Sequence, residues 1–266
     1  IIFADEHRIK FHEVTSSLKP YVTSEGYVRD RDTFVCDIYG STLMQEVRRY
    51  ALRAREIAKK EHFDVIHAHD WLSFLAGLEA KRVSGKPLVL HMHATEFDRT
   101  GGQGANQEVY DIERMAMEQA DGIIAVSNFT KQKIIERYGI PAHKIEVIHN
   151  GIDECDYANI PERLMEIKRS GQKIVLFAGR ITIQKGPEYF IRAAKRVLEY
   201  NPNVLFLVAG SGDMERQIML EAAHLGISDQ VVFVGFLRGD DLNAVYKATD
   251  LFVMPSVSEP FGITPL

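Results

Sequence analysis

Residues 173–213, KIVLFAGRITIQKGPEYFIRAAKRVLEYNPNVLFLVAGSGD, decide the fold. Two apolar runs of strand length, 173–178 and 204–209, flank a segment with helical periodicity over 187–200. Its first residue, Pro187, suits the start of a helix because its missing N–H would be unpaired there. A strand, a helix and a second strand in this order connect as a right-handed crossover, so the stretch predicts one βαβ unit of a parallel sheet.

The same alternation continues on both sides of this unit. The other predicted strands are 63–67, 87–92, 122–126, 145–148, 231–234 and 251–254. The other predicted helices are 43–62, 72–83, 106–119, 129–138, 214–225 and 240–249. Strands that alternate with helices form parallel sheets covered on both faces. The sequence therefore predicts an α/β protein with two doubly wound, Rossmann-like parallel-sheet domains.

A turn at residues 150–153, followed by a polar stretch as far as Gly171, separates the two sets of elements. We place the domain boundary there, with an N-terminal domain of residues 1–153 and a C-terminal domain of residues 154–266. Two such domains are expected to face a cleft. Ligands of doubly wound sheets gather beyond the carboxyl ends of the strands, so the residues directly after each strand are the candidates.

Composition excludes several classes of protein. The chain has 266 residues, 45% hydrophobic and 26% charged, as in an ordinary globular protein. With 32 Lys and Arg against 37 Asp and Glu, its net charge of −5 offers no general positive field for nucleic acid or an anionic bilayer. No apolar run reaches the roughly 20 residues of a membrane span. Cys36 and Cys155 form no disulfide framework, and we expect a cytoplasmic protein.

The loop after residues 173–178 places two cations, Arg180 and Lys185, between Gly179 and Gly186. A guanidinium fork and a mobile ammonium would suit a diphosphate. The alternative is a solvated loop with two ordinary surface cations.

Two further turns follow strands of the C-terminal half. Gly210 and Gly212 permit close backbone approach to a ligand, but the third glycine of a dinucleotide fingerprint is absent, which argues against a nicotinamide dehydrogenase. A tight turn with Asp213 as a helix cap is the alternative. After the last strand, Glu259 offers an acceptor for hydroxyls, and the turn at Gly262 offers N–H groups for phosphate oxygens.

Four histidines close two neighbouring strands of the N-terminal half. Because residues two apart share a strand face, His67 with His69 and His91 with His93 are expected to line one surface. This arrangement raises a zinc-dependent hydrolase as an alternative. The H-x-H-x-D-H pattern is absent because Asp70 directly follows His69, so we predict no metal. Ser127, at the next strand end, is predicted to cap a helix.

Together, the motifs resemble the retaining nucleotide-sugar glycosyltransferases of family 4, the glycogen and sucrose synthase-like group with the GT-B fold. The motifs are VIHAHDW, HMHATE, IIAVSNFT, VIHNGID, GRITIQKG, VLFLVAGSGD, VVFVGF and DLFVMPSVSEPFGITPL. The resemblance runs from about Asp64 onward. It implies transfer of a sugar from a nucleoside-diphosphate sugar to a hydroxyl acceptor, with retention and without a cofactor or metal. Glycogen or another glucan is one expected acceptor.

The resemblance also implies roles for individual residues. Arg180 and Lys185 match the cations on the donor diphosphate, Glu259 matches a glutamate on the donor sugar, and His93 matches a histidine near the transferred sugar. These four are the predicted catalytic residues. The other predicted donor-binding residues are Gly179, Gly210, Gly212, Phe261, Gly262, Ile263 and Thr264, and those predicted on the acceptor side are Asp70 and Glu96.

The sequence departs from the family pattern at both ends. The second glutamate of the family motif would fall one position past Leu266, and the run Gly101–Gly104 is not the family's N-terminal glycine-rich loop. We therefore expect both domains to be incomplete and the chain alone to be weak or inactive. Two alternatives stay open: a metal-dependent hydrolase using His67, His69, His91 and His93, and a noncatalytic nucleotide-sugar-binding protein.

Overall fold

The computed structural model describes residues 10–13, 40–102, 104–152 and 159–266. These residues form two compact units. Unit 1 contains residues 10–13, 40–95 and 106–149, and unit 2 contains residues 96–102, 104–105, 150–152 and 159–266. Cys36, Cys155 and the predicted boundary between residues 153 and 154 lie outside the described residues.

The described helices and strands alternate along the chain. The helices are α1 Gly40–Ala58, α2 Asp70–Ser84, α3 Glu96–Arg99, α4 Gln107–Gln119, α5 Asn128–Tyr138, α6 Glu162–Arg169, α7 Pro187–Tyr200, α8 Glu215–His224 and α9 Gly239–Ala248. The strands are β1 Ile66–His69, β2 Leu88–Met92, β3 Gly122–Ala125, β4 Ile145–Val147, β5 Lys173–Ala178, β6 Val204–Ala209, β7 Val231–Gly235 and β8 Leu251–Phe252. None of these helices is both long and apolar enough to cross a membrane.

Unit 1 contains a parallel sheet in the order β1-β2-β3-β4. Alternate residues of β2 point to opposite faces, and Leu88, Leu90 and Met92 are fully buried on one of them. Ala68 of β1 pairs with Leu90 and is buried with it, whereas its neighbour His69 pairs with His91 on the opposite face. The register of β1 and β2 therefore gathers the histidines away from this core.

Unit 2 contains a parallel sheet in the order β7-β6-β5-β8. Every residue of β6 is buried, as expected for a central strand covered on both faces. One core cluster contains Phe177, Phe190 and Phe206, and another contains Leu176 and Leu207. Because β5 and β6 are parallel, their carboxyl ends lie at one edge of the sheet, where the following loops begin.

Several predicted bounds are wrong by a few residues. Pairing of β1 begins when Ile66 N–H donates to Pro87 O, so the strand covers 66–69 rather than 63–67. β8 ends at Phe252 rather than residue 254, and Pro255, which has no N–H to donate, follows closely. Helix α1 ends at Ala58 rather than His62.

Helix α6, Glu162–Arg169, was not predicted. Its sequence, ERLMEIKR, is rich in charged residues and therefore indicates a polar linker rather than a helix. Leu164 and Ile167 nevertheless pack against the core of unit 2, which stabilises a helix of weak apolar content. Packing within the unit, rather than local propensity, accounts for this helix.

Candidate functional site

The loops after β5 and β6 pack backbone against backbone. Ile181 N–H donates to Ser211 O over 3.0 Å, and Met214 N–H donates to Ile181 O over 3.1 Å. A Cβ atom at Gly210 would lie 1.8 Å from Gly179 O, and one at Gly212 would lie 2.2 Å from Ile181 O. Both glycines are therefore required by the approach of the two loops, in addition to any role toward a ligand.

A carboxylate and an ammonium meet at the carboxyl edge of the unit 2 sheet. Lys185 Nζ lies 2.6 and 2.9 Å from the two carboxylate oxygens of Glu259, and Ser256 Oγ donates to one of those oxygens over 2.8 Å. The side chains of Lys185 and Glu259 are 17% and 19% exposed. The pair joins the loop after β5 to the segment after β8.

The backbone reinforces this junction. Val257 N–H donates to Gln184 O over 2.9 Å. Gly186 has φ of 63°, and a Cβ atom there would lie 2.3 Å from Pro255 O. Only a residue without a side chain allows the two segments to approach this closely.

Arg180 is exposed, at the start of the loop after β5. Its guanidinium donates to Oε1 of Gln184, which is buried, over 3.2 Å. Desolvation by the surrounding loop raises the pKa of the Asp213 carboxyl even though its outer side faces solvent, and the Arg180 charge opposes that rise. The alternative that Asp213 caps a helix is wrong, because Met214 precedes α8 and no side chain caps it.

Glu96 and Asp98 belong to unit 2, although they lie between segments of unit 1 in the sequence. Both are fully buried. Arg99 Nε lies 3.3 Å from the Glu96 carboxylate, and Ser258 Oγ donates to Asp98 Oδ1. The Asp98–Ser258 contact was missed by sequence reasoning, because 160 residues separate the partners and neither belongs to a local pattern.

The segment after Glu259 forms a turn. Gly262 is buried with φ of 82°, and a Cβ atom there would lie 3.2 Å from Glu259 Cγ. Phe261 and Thr264 are half-buried, whereas Ile263 is 53% exposed. The turn therefore lies close to the Cγ methylene of Glu259.

The histidines of unit 1 line one surface, as predicted. Ring centroids are 4.3 Å apart for His67 and His69, 4.9 Å for His69 and His91, and 4.2 Å for His91 and His93. His69 Nδ1 and His93 Nε2 are 3.0 Å apart. We call these four residues the histidine cluster.

Three members of the cluster resist protonation. Burial first, and then the neighbouring imidazoles whose charges would repel, lower the pKa of His91 from 6.5 to about 4. Burial also lowers the pKa of His67 and of His69. These rings are therefore neutral at pH 7.

Asp70 connects the ends of β1 and β2. Its carboxylate accepts the N–H groups of His93 over 2.8 Å and of Ala94 over 3.4 Å. Its φ of 56° is rare for a residue with a side chain and costs about 1 kcal/mol. The structure thus gives Asp70 a positioning contact with the backbone of His93, and a role toward an acceptor stays a prediction.

The predicted cap at Ser127 is confirmed, since its hydroxyl accepts the N–H of Thr130 over 3.1 Å ahead of α5. Of the predicted site residues, those in unit 1 are Asp70 and His93. Those in unit 2 are Glu96, Gly179, Arg180, Lys185, Gly210, Gly212, Glu259, Phe261, Gly262, Ile263 and Thr264.

Solved structures of known proteins share this fold. HepE of Anabaena, in complex with UDP and glucose, gives a TM-score of 0.65 at 24% identity over 84% of this chain and 60% of that one. Sucrose-phosphate synthase of Thermosynechococcus elongatus gives a TM-score of 0.69 at 20% identity over 84% of this chain and 57% of that one. The predicted fold class, doubly wound and GT-B-like, is confirmed.

Curated relatives have similar sequences. An uncharacterized glycosyltransferase of Methanocaldococcus jannaschii is 36% identical over 228 residues, which cover 80% of this chain and 58% of the relative. A glycogen synthase of Mycobacterium tuberculosis is 30% identical over 82% of this chain and 53% of the relative. The chain thus spans about half the length of the curated relatives it matches.

Two family models match consecutive parts of the sequence. The model of glycosyl transferases group 1 matches residues 162–266. The model of Glycosyltransferase Family 4 matches residues 18–154, more than half of the chain. Their order agrees with the order of the motifs along the sequence. On this evidence the chain belongs to glycosyltransferase family 4.

Proposed function

We propose that the protein transfers a sugar from a nucleoside-diphosphate sugar to a hydroxyl acceptor with retention, and that unit 2 binds the donor. The observation that carries this proposal is the Lys185–Glu259 pair, which places a cation and a hydrogen-bond acceptor side by side after β5 and β8. Arg180 on the same loop adds a second cation. A diphosphate and the sugar attached to it need these two kinds of partner at one place.

The chemistry follows from where charge develops. As the bond to the anomeric carbon breaks, negative charge grows on the leaving diphosphate, and preorganised cations stabilise that state most. Lys185 is already oriented by two short contacts, so little reorganisation is required when the charge appears. Arg180 provides a planar donor fork for the phosphate oxygens. We propose that these two cations stabilise the leaving group without a metal.

Glu259 would accept hydrogen bonds from hydroxyl groups of the donor sugar. Ser256 and Lys185 hold its carboxylate, and the turn at Gly262 packs on its Cγ. A carboxylate fixed in this way selects the sugar by the positions of its hydroxyls. The backbone N–H groups of residues 262–264 are proposed to meet the phosphates.

We assign the acceptor side to unit 1, with His93 near the transferred sugar and Asp70 toward the acceptor. Glu96 belongs to unit 2 and is fully buried beside Arg99, so its predicted role toward the acceptor would be indirect. The hydroxyl of a sugar or glucan is the proposed acceptor, and the cytoplasm is the proposed compartment. UDP and glucose in the Anabaena structure, and the glycogen synthase among the relatives, support testing UDP-glucose and ADP-glucose first.

The test is a panel of UDP-, ADP- and GDP-sugars, measured on the full-length protein by thermal stabilisation and by transfer to glucan. We expect one nucleotide class to raise the melting temperature. Arg180→Ala should abolish most of that shift and lower turnover about a hundredfold. The matched control is Arg192→Ala on α7, whose side chain is 60% exposed and pairs with Glu221.

Three results would contradict the proposal or part of it. Stabilisation by no nucleotide sugar would overturn the donor site. Normal binding and turnover in Arg180→Ala would show that Arg180 is an ordinary surface cation. Binding without transfer to any hydroxyl acceptor would support the noncatalytic alternative. Family membership favours the glycosyltransferase over the metal-dependent hydrolase.

A further inference from the structure

The histidine cluster contains more imidazoles than sugar transfer uses. The proposed function assigns a role to His93 but none to His67, His69 or His91. One potential ligand atom from each of these three residues lies within 4.8 Å of the other two. The strand register produces this arrangement, because His69 pairs with His91 and His67 lies two residues earlier on the same face.

The ring of His91 lacks the partners that a buried imidazole normally has. Within the described residues, both of its ring nitrogens are shielded from solvent and neither has a hydrogen-bond partner. Buried polar atoms are almost always hydrogen-bonded, so this ring is either a source of instability or awaits a ligand. The neighbouring side chains that approach it are other imidazoles, at ring-centroid distances of 5.4 Å for His67 and 4.9 Å for His69.

Against the prediction of no metal from the sequence pattern, we propose that His67, His69 and His91 bind one first-row transition-metal ion of the Zn²⁺ class through their ring nitrogens. Imidazole suits Zn²⁺, Cu²⁺ and Ni²⁺, and three nitrogen ligands leave a further position for water. Bound nitrogens at about 2.05 Å from Zn²⁺ lie about 3.4 Å from one another in a tetrahedral site. The ligand atoms lie within 4.8 Å of one another, so binding would require the exposed His67 and His69 rings to turn toward the ion.

Binding would also affect His93. Metal-bound histidines usually donate the N–H of their other ring nitrogen to an acceptor. If His69 binds through Nε2, its Nδ1–H donates to His93 Nε2, which lies 3.0 Å away. The ion would then fix the tautomers of both rings. This proposal concerns unit 1 and does not depend on sugar transfer.

The experiment is calorimetric titration of the untagged, metal-stripped protein with Zn²⁺, followed by the visible spectrum of the Co²⁺ form. We expect one ion per chain and a cobalt spectrum typical of nitrogen ligands in a low-coordinate site. His67→Gln and His69→Gln, which change exposed side chains, should each weaken binding at least tenfold. The matched control, His143→Gln, changes an exposed histidine elsewhere in unit 1 and should bind as the parent does.

Histidine ring ¹⁵N spectra provide a readout that is independent of the variants. Addition of Zn²⁺ should shift the ring nitrogens of His67, His69 and His91 together, at one equivalent. Absence of saturable Zn²⁺ binding would overturn the proposal. Equal binding by the parent and by folded His67→Gln and His69→Gln proteins would overturn it as well, and so would shifts confined to other histidines.

Discussion

The histidine cluster of unit 1 and the Lys185–Glu259 pair of unit 2 both lie toward the carboxyl ends of parallel strands, yet they are held together in opposite ways. In unit 2, unlike charges meet, and the pair is held by Ser256 and by close backbone contacts at Gly186. In unit 1, like groups stack at ring-centroid distances of 4.2–5.4 Å, and burial holds the pKa values of His67, His69 and His91 below the ordinary value. The comparison shows that the carboxyl edge of a parallel sheet can build a charged site or a neutral one, depending on which residue types lie there.

The largest effect in unit 2 is expected from a substitution that separates the loops after β5 and β6. Gly210→Ala would place a Cβ atom 1.8 Å from Gly179 O, so one backbone must move. We expect a loss of about 3 kcal/mol in the free energy of unfolding. Urea denaturation checks this value. Gly122→Ala in β3 is the control, because nothing lies within 4 Å of its new Cβ atom. Equal stability of the two variants would contradict the packing account.

The second prediction separates charge from packing in unit 2. We expect Lys185→Ala to lower turnover about a hundredfold, which is about 2.7 kcal/mol of transition-state stabilisation. Glu259→Gln should also lower turnover, and the double variant should lose less than the sum of the single losses because the two groups contact each other. Steady-state kinetics of all four proteins test this. Simple additivity would mean that the ion pair has no functional coupling.

The third prediction concerns the positioning of His93 in unit 1. Asp70→Gly keeps φ of 56° accessible but removes the acceptor for the N–H groups of His93 and Ala94. We expect kcat to fall about tenfold with an unchanged KM for the donor. Asp70→Asn retains an acceptor oxygen and tolerates this backbone, so it should restore most of kcat. Equal kcat in the Gly and Asn variants would remove the positioning role.

The smallest effect is the pH dependence of the histidine cluster. The pKa of His91 is lowered from 6.5 to about 4 in the folded chain, so the unfolded chain binds the extra proton first as pH falls. Stability should therefore decrease from about pH 6.5 to about pH 4 and change little below that. Solvent screening of this partly exposed ring reduces the expected loss to about 1 kcal/mol.

Denaturation at pH 7 and pH 5 in EDTA, for the parent and for His91→Gln, measures this loss. The variant should depend less on pH. An identical dependence in both proteins would show that the neutral ring contributes nothing to stability.

Local sequence patterns predict the bounds of those helices and strands that periodicity and a helix-starting proline define. The helix over 187–200 and the strands over 173–178 and 204–209 were predicted to the residue, because periodicity and Pro187 define them. The shared face of His67 and His69 followed from strand alternation, and that of the whole cluster needed only adjacent, parallel strands.

Contacts between distant segments could not be predicted in the same way. The resemblance placed Lys185 and Glu259 in one site, but no sequence pattern indicated a direct ion pair across 74 residues. The left-handed backbone of Asp70 and its bond to His93 N–H depend on how β1 and β2 end together. Helix α6 was missed because its stability derives from packing of Leu164 and Ile167 rather than from its own sequence.

The grouping of residues 96–105 with unit 2 has a consequence for the order in which the protein is made. These residues leave the ribosome well before most of unit 2, yet buried Asp98 bonds to Ser258, and a Cβ at Gly101 would lie 3.7 Å from Ile183 and Val257. The segment therefore cannot form these contacts until residues 257 and 258 have been synthesised. The loop that carries Glu259 is thus held by residues that come before α4 in the sequence, so residues 150–266 expressed alone would lack the Asp98–Ser258 hydrogen bond.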